Sequence, residues 1–456
     1  MSSWKFSRRA GLKGLVAGGI ALTFAGPLAA QQASEGALVE ALRSHLRFSA
    51  GFRRKLRTGF YSEIGANPTA EEARRALADL TARLAALDGD NLALIHAVDD
   101  DGHLRAWLVD QAGLVADGRC PWAFDGLHYL TWSLRVDQRM QTRVAVPRGA
   151  EPPAVEPPDR WDLTVAEALD LAATELLGPE IAAALAERSG RLLVLPARDT
   201  GSAPYPALPL ANGELLTRRH AVVIVPDIET LASQQRVHDV REIDWRTSLL
   251  VGNPDLSWNA EYRFAPLPHA QTEVETVQSL IGAAEDRVHF REAATLDRVV
   301  GQCRTYGSAD VIYLATHAIS NRVNPMDGSF VGLAEGNLTG QMLRSDSFEA
   351  WAARHPVVVL SACQTALGRV FDGGAYGMSR VAYAAGAAQV VSSLWNVDDL
   401  ATSQLMSAFA DRWYLGYTTE QALQRAMWQV ADLYPEDPGA WASFCIFGMP
   451  STRVGA

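Results

Sequence analysis

Asp310–Thr316 reads DVIYLAT and Val357–Ala362 reads VVVLSA. Each is a short, almost continuously apolar run, the pattern of a strand buried on both faces. Each also ends in a reactive side chain. His317 follows the first run and Cys363 follows the second, 46 positions on. In open α/β sheets, functional groups gather at the carboxyl ends of strands. A thiol and an imidazole at two such ends form a nucleophile–base pair if the strands are neighbours, because the imidazole can then draw the thiol proton.

Working outward, strand and helix patterns alternate from residue 249 onward. Strands are expected at Leu249–Gly252, Val288–Arg291, the two runs above, Gln389–Trp395 and 443–447. Helices are expected at 270–282, 295–304, 346–354, 375–385, 399–414 and 418–432. Residues 318–340 read as a long polar loop. Such alternation specifies a mainly parallel sheet flanked by helices. Upstream, Leu92–Val98 and Leu104–Val109 flank Asp99-Asp100-Asp101-Gly102 and read as a hairpin. A helical stretch, 164–188, and the strands Leu192–Pro196 and Ala221–Val225 come next. Pro147 to Pro158 reads as a linker or exposed loop. The fold class is therefore α/β, preceded by a short helical N-terminal segment.

That segment has two helices. Residues 35–57 place Leu38, Leu42, Leu46, Phe52 and Leu56 on one face and Arg43, Arg47, Arg53, Arg54, Lys55 and Arg57 on the other. A basic amphipathic helix of this kind either binds a partner or membrane surface, or packs on the body with its charged face in water. The second helix spans 69–87. No helical repeat is visible before residue 90.

The chain has 456 residues, 48% of them hydrophobic and 20% charged, which suits a large globular protein. Net charge is −11, and no basic run follows the N-terminal part, so nucleic acid is not an expected partner. Ser7-Arg8-Arg9-Ala10-Gly11-Leu12-Lys13 precedes a mild apolar stretch, Gly14–Ala25, and small residues to Ala30. This is the layout of a twin-arginine export signal, so residues 1–30 are expected to direct export to the periplasm. No other segment is apolar for the length a membrane span needs. The cysteines are Cys120, Cys303, Cys363 and Cys445. None forms a CxxC pair, which removes zinc ribbons and thioredoxin-type motifs.

An acyl-transfer site also needs backbone N–H donors for an oxyanion. The amides of Cys363 and Ala318 are the candidates. A helix closely following Cys363 would add a favourable dipole, and Gly373-Gly374 lies in a flexible loop downstream. Asp398 and Asp399 have two readings: acids that select a basic substrate side chain, or helix N-caps. Trp395 either walls a pocket or fills the core.

The local words are specific. Ala315-Thr316-His317-Ala318 and Leu360-Ser361-Ala362-Cys363-Gln364-Thr365 resemble the ATHG and LSACxT motifs of the CHAT domain family, caspase-like cysteine peptidases often attached to tetratricopeptide repeats. The resemblance extends to Leu267-Pro268 with Glu273 and Glu275, Tyr205-Pro206-Ala207-Leu208, Ala385-Gly386-Ala387, Val391-Ser392-Ser393-Leu394-Trp395 with Val397-Asp398-Asp399 and Ala401-Thr402, and Trp441-Ala442 with Gly448. It implies a caspase-like fold, with 246–450 the catalytic half, 90–245 a degenerate companion half lacking the dyad, and 31–89 a helical lead. It further implies a cysteine endopeptidase acting on proteins or peptides through His317 and Cys363, with no metal and no cofactor. A catalytically silent scaffold and a hydrolase of non-peptide acyl groups are the alternatives. Two departures stand out: Ala318 occupies a position where the family commonly has Gly, and the helical-repeat array is absent.

Overall fold

The computed structural model describes residues 27–56, 67–124, 146–147, 163–232, 243–304, 309–321, 328–345, 348–362, 368–371, 374–395 and 397–451. The export motif Ser7–Lys13, most of the proline-rich 147–158 stretch, Gly373 and Cys363 lie outside the described residues. The chain divides into two compact units, Met1–Leu38 and Val39–Ala456. The first is described only as the opening of the helix Pro27–Leu56. The second carries every strand among the described residues.

In chain order these are β1 (Asn91–Val98), β2 (His103–Asp110), β3 (Gly113–Ala123), β4 (Val146–Pro147), β5 (Gly190–Leu195), β6 (His220–Ile224), β7 (Leu249–Pro254), β8 (Tyr262–Arg263), β9 (Val288–Arg291), β10 (Val311–Ala315), β11 (Ala318–Ile319), β12 (Phe330–Leu333), β13 (Gly336–Thr339), β14 (Val357–Ser361), β15 (Gly368–Phe371), β16 (Gly374–Gly377), β17 (Gln389–Ser393) and β18 (Phe444–Gly448) among the described residues. One 11-stranded sheet runs β3-β2-β1-β5-β6-β18-β17-β14-β10-β7-β9. Most neighbours are parallel, and helices flank the sheet. The fold is thus the α/β class read from the alternation.

Strand direction reverses where β18 meets β17 antiparallel. The parallel set β5-β6-β18 therefore runs opposite to the set β17-β14-β10-β7-β9, and the carboxyl ends of the two sets face opposite edges of one sheet. The expected hairpin is β1–β2, turning at Gly102 with φ +80°. Strand β3 was not expected. Its polar middle and Pro121 hide a strand, and both are tolerated because β3 is the sheet's outer edge.

The expected helical stretch 164–188 is built of two helices, Val165–Leu176 and Gly178–Ala186. It breaks at Gly178 (φ +69°), where Gly118 of β3 approaches so closely that a Cβ there would stand 2.4 Å from the Leu177 carbonyl oxygen. The 318–340 loop instead carries β11, β12 and β13, a separate three-stranded antiparallel sheet. Phe330-Val331-Gly332-Leu333 is too short an apolar run to stand out. It is made a strand by a two-residue turn in which Glu335 takes φ +64°.

Packing ties helices to the sheet through a few buried polar contacts. Tyr313 of β10 donates its hydroxyl to the buried Glu273 carboxylate (2.8 Å) on the helix Pro268–Ile281. On β1, His96 Nε2–H donates to the Leu176 carbonyl (2.8 Å), and the His96 carbonyl accepts from His45 Nε2–H (2.8 Å). Both rings are buried, and His96 Nδ1 has no partner, so a second ring proton would be stranded there.

Burial accordingly lowers both imidazoles, His96 to about 4. The unfolded chain then takes up the proton first, so stability present above the unfolded value near 6.5 is lost as pH falls toward 4. His96 alone removes roughly 3 kcal/mol over that window. His96→Gln should flatten the urea midpoint between pH 6.5 and 4; wild-type and variant midpoints that fall in parallel would refute the assignment.

Candidate active site

The two decisive runs are β10 and β14, and they are neighbours. They pair in parallel with Ala315 opposite Ser361, and the ladder runs one step further, Thr316 N–H donating to the Ser361 carbonyl (3.2 Å). His317 is the next residue. There the chain leaves the main sheet and enters the small one. Gly332 N–H donates to the His317 carbonyl (2.9 Å), and the Thr316 hydroxyl donates to the Gly332 carbonyl (2.8 Å). Glycine at 332 permits this approach: a Cβ there would stand 2.9 Å from the Leu256 side chain.

The His317 side chain is only 2% exposed. The Phe264 ring lies 4.9 Å from it, centroid to centroid. His317 Nε2 stands 2.7 Å from the Ala265 carbonyl oxygen. A carbonyl can only accept, so Nε2 carries the proton, and in the neutral ring Nδ1 carries the lone pair. A backbone oxygen thus holds the imidazole in tautomer and orientation.

The segment bearing Phe264 and Ala265 is itself fixed. Asn253, at the end of β7 with φ +47°, accepts the Leu267 N–H on Oδ1 (2.9 Å), and Arg291 Nη1 donates to the same oxygen (3.2 Å). Asp399 Oδ2 accepts the His269 N–H (2.9 Å). Asn259 Oδ1 accepts the amides of Glu261 (3.0 Å) and Tyr262 (2.8 Å). These contacts hold the orienting carbonyl, yet nothing in a one-dimensional pattern marks Ala265, whose contribution is its backbone.

Cys363 is outside the described residues, which run to Ala362, fully buried at the end of β14. Ala318 lies in β11 opposite Val331. Because Gly332 N–H already takes the His317 carbonyl, Ala318 is a non-hydrogen-bonded position, and its N–H faces away from β12. Ala318 is not among the non-glycine residues with positive φ, so its Cβ costs no backbone strain.

Trp395 is fully buried and donates Nε1–H to the Gly439 carbonyl (3.3 Å). Asp398 Oδ1 accepts the Leu400 and Ala401 amides (2.9 Å each), capping the helix Asp399–Tyr414. Asp399 caps the neighbouring helix Pro268–Ile281 through His269.

Among the described residues after Cys363, the hairpin β15–β16 comes first and the helix Met378–Ala385 follows it, in place of the early helix expected. Glycines at 368, 374 and 377 favour that hairpin over an early helix. Cys120, Cys303 and Cys445 take no part in the site. Cys120 and Cys303 are buried, and burial pushes the thiols of Cys303 and Cys445 up to about 12.

The sequence model of the CHAT domain matches residues 166–449. Tetratricopeptide repeat protein 28 of the mouse (Mus musculus) is 24% identical over 294 residues; the match covers 54% of this chain and only 12% of that protein. Among solved structures, separase in the Saccharomyces cerevisiae separase–securin complex is similar with a TM-score of 0.52 at 11% identity, over 92% of this chain and 34% of that chain. Gingipain R of Porphyromonas gingivalis, an Arg-specific cysteine proteinase, is similar with a TM-score of 0.40 at 11% identity, over 58% of this chain and 64% of that chain.

The cap and pocket readings of the two aspartates separate by stability. Asp398→Ala and Asp399→Ala should each lower the unfolding free energy in urea by about 1–2 kcal/mol, with Asn at either position recovering most of it. Alanine variants as stable as the wild type would remove both capping roles.

Proposed function

This chain belongs to the CHAT domain family, and from that premise we propose that it is a cysteine endopeptidase with Cys363 as nucleophile and His317 as base. The observation that carries the reading is the His317 imidazole. Its Nε2–H is tied to Ala265, which leaves Nδ1 basic, on a strand paired in register with the one that leads to Cys363.

In this reading His317 Nδ1 takes the thiol proton, and the Cys363 sulfur bonds to the scissile carbonyl carbon as the C=O electron pair moves to oxygen. The Ala318 and Cys363 amides receive that oxyanion. As the carbonyl re-forms, the C–N bond breaks, and the leaving amine takes the proton from His317. A thioester remains. Water then gives a proton to His317 and attacks the thioester carbon; the acid departs, and the proton returns to sulfur.

We read residues 90–245 as the companion half. Its strands β5 and β6 are also parallel neighbours, but the residues two places beyond them are Ala197 and Pro226, which offer neither thiol nor imidazole. Asp398 and Asp399 are committed to backbone amides, so the reading assigns them to architecture rather than to selection of a basic substrate side chain.

A peptidyl acyloxymethyl ketone tests the reading. Under reducing conditions it should label wild-type protein at Cys363, fail with Cys363→Ala, and label His317→Ala at least about a hundredfold more slowly. Labelling that persists in Cys363→Ala would sink the proposal. Hydrolysis of small thioesters without cleavage of any peptide would replace it with the acyl-hydrolase reading, and no reaction at all with a scaffold.

A further inference from the structure

Ser393 ends β17, the strand on the far side of β14 from β10. Its hydroxyl donates to the Ala362 carbonyl, and both residues are fully buried. Ala362 C=O belongs to the same planar peptide unit as the Cys363 N–H, the amide that the proposed mechanism needs for the oxyanion. In a trans peptide the two groups point in opposite directions.

The described ladder gives the directions. Ser361 C=O points to the β10 side, where it accepts the Thr316 N–H. Ala362 C=O points to the β17 side, where Ser393 holds it. A trans peptide whose C=O faces the β17 side presents its N–H to the β10 side, on which His317 lies.

We infer that Ser393 is a positioning residue that sets the oxyanion hole by clamping the Ala362–Cys363 peptide plane. The inference rests on the peptidase reading above. It assigns Ser393 no contact with substrate and no role in thiol activation, which belongs to His317. Its neighbour Ser392 points to the opposite face of the strand and accepts from the Ser379 hydroxyl (2.8 Å), so the two serines of this pair have separate partners. Removing the Ser393 hydroxyl removes a buried donor to the carbonyl of this peptide plane. An oxyanion donor works only when aimed at the developing charge, and losing one outright costs about 10²–10³-fold in rate.

Two reactions of Cys363 separate positioning from activation. Alkylation by iodoacetamide needs the activated thiol and no oxyanion donor; cleavage of a fluorogenic peptide selected from a diverse library needs both. In Ser393→Ala the alkylation rate at Cys363 should stay within about twofold of wild type while kcat falls at least about tenfold. Ser393→Thr, which keeps the hydroxyl, should recover most of kcat. Equal losses in alkylation and turnover would show that Ser393 only supports packing, and no loss in either would show that the clamp is idle; each overturns the inference. A wild-type protein that cleaves no library peptide and alkylates Cys363 no faster than a His317→Ala control would instead remove the peptidase reading, and this inference with it.

Discussion

The parallel pairing of β10 with β14 is the constraint on which the rest depends. It sets Ala315 beside Ser361, so the chain leaves both strands at the same height on the same sheet edge. A slip of one residue would turn His317 to the opposite face. The register is held from several sides: by β7 and β17 flanking the pair, by Tyr313 bonded to Glu273 beneath, and by the small sheet that takes up the chain immediately after His317.

Much of this is legible in the sequence because two-sided burial writes itself as continuous apolar runs. β10, β14 and β17 each begin within a residue of where DVIYLAT, VVVLSA and the 389–395 run place them. What resists reading is structure whose cause is not local. β3 tolerates Pro121 because it is an edge. The break at Gly178 exists because Gly118 of another element comes close. β12 and β13 are too short for periodicity to show and depend on a two-residue turn.

The candidate site divides the same way. Its reactive side chains stand out as types in a pattern, whereas the groups that orient them are mostly backbone or remote. Ala265 acts through its carbonyl, and any residue with an unobstructed backbone could do so. Asn253 and Asp399 lie far apart in sequence and meet only at the ends of the segment they hold. Asp399 is a capping residue by type, as its sequence context indicates, while its actual partner, His269 on another helix, leaves no local signal. Ala318, a departure from the family's motif, sits in an ordinary extended strand, where glycine's extra freedom has no use.

The central claim is that His317 activates Cys363 across this strand pair. The rate of Cys363 alkylation by iodoacetamide as a function of pH measures it most directly. The account predicts that wild-type reactivity extends at least about one pH unit below that of His317→Ala, whose profile should rise near the value of about 8.5 for an unassisted thiol. Superimposable profiles for the two proteins would contradict it.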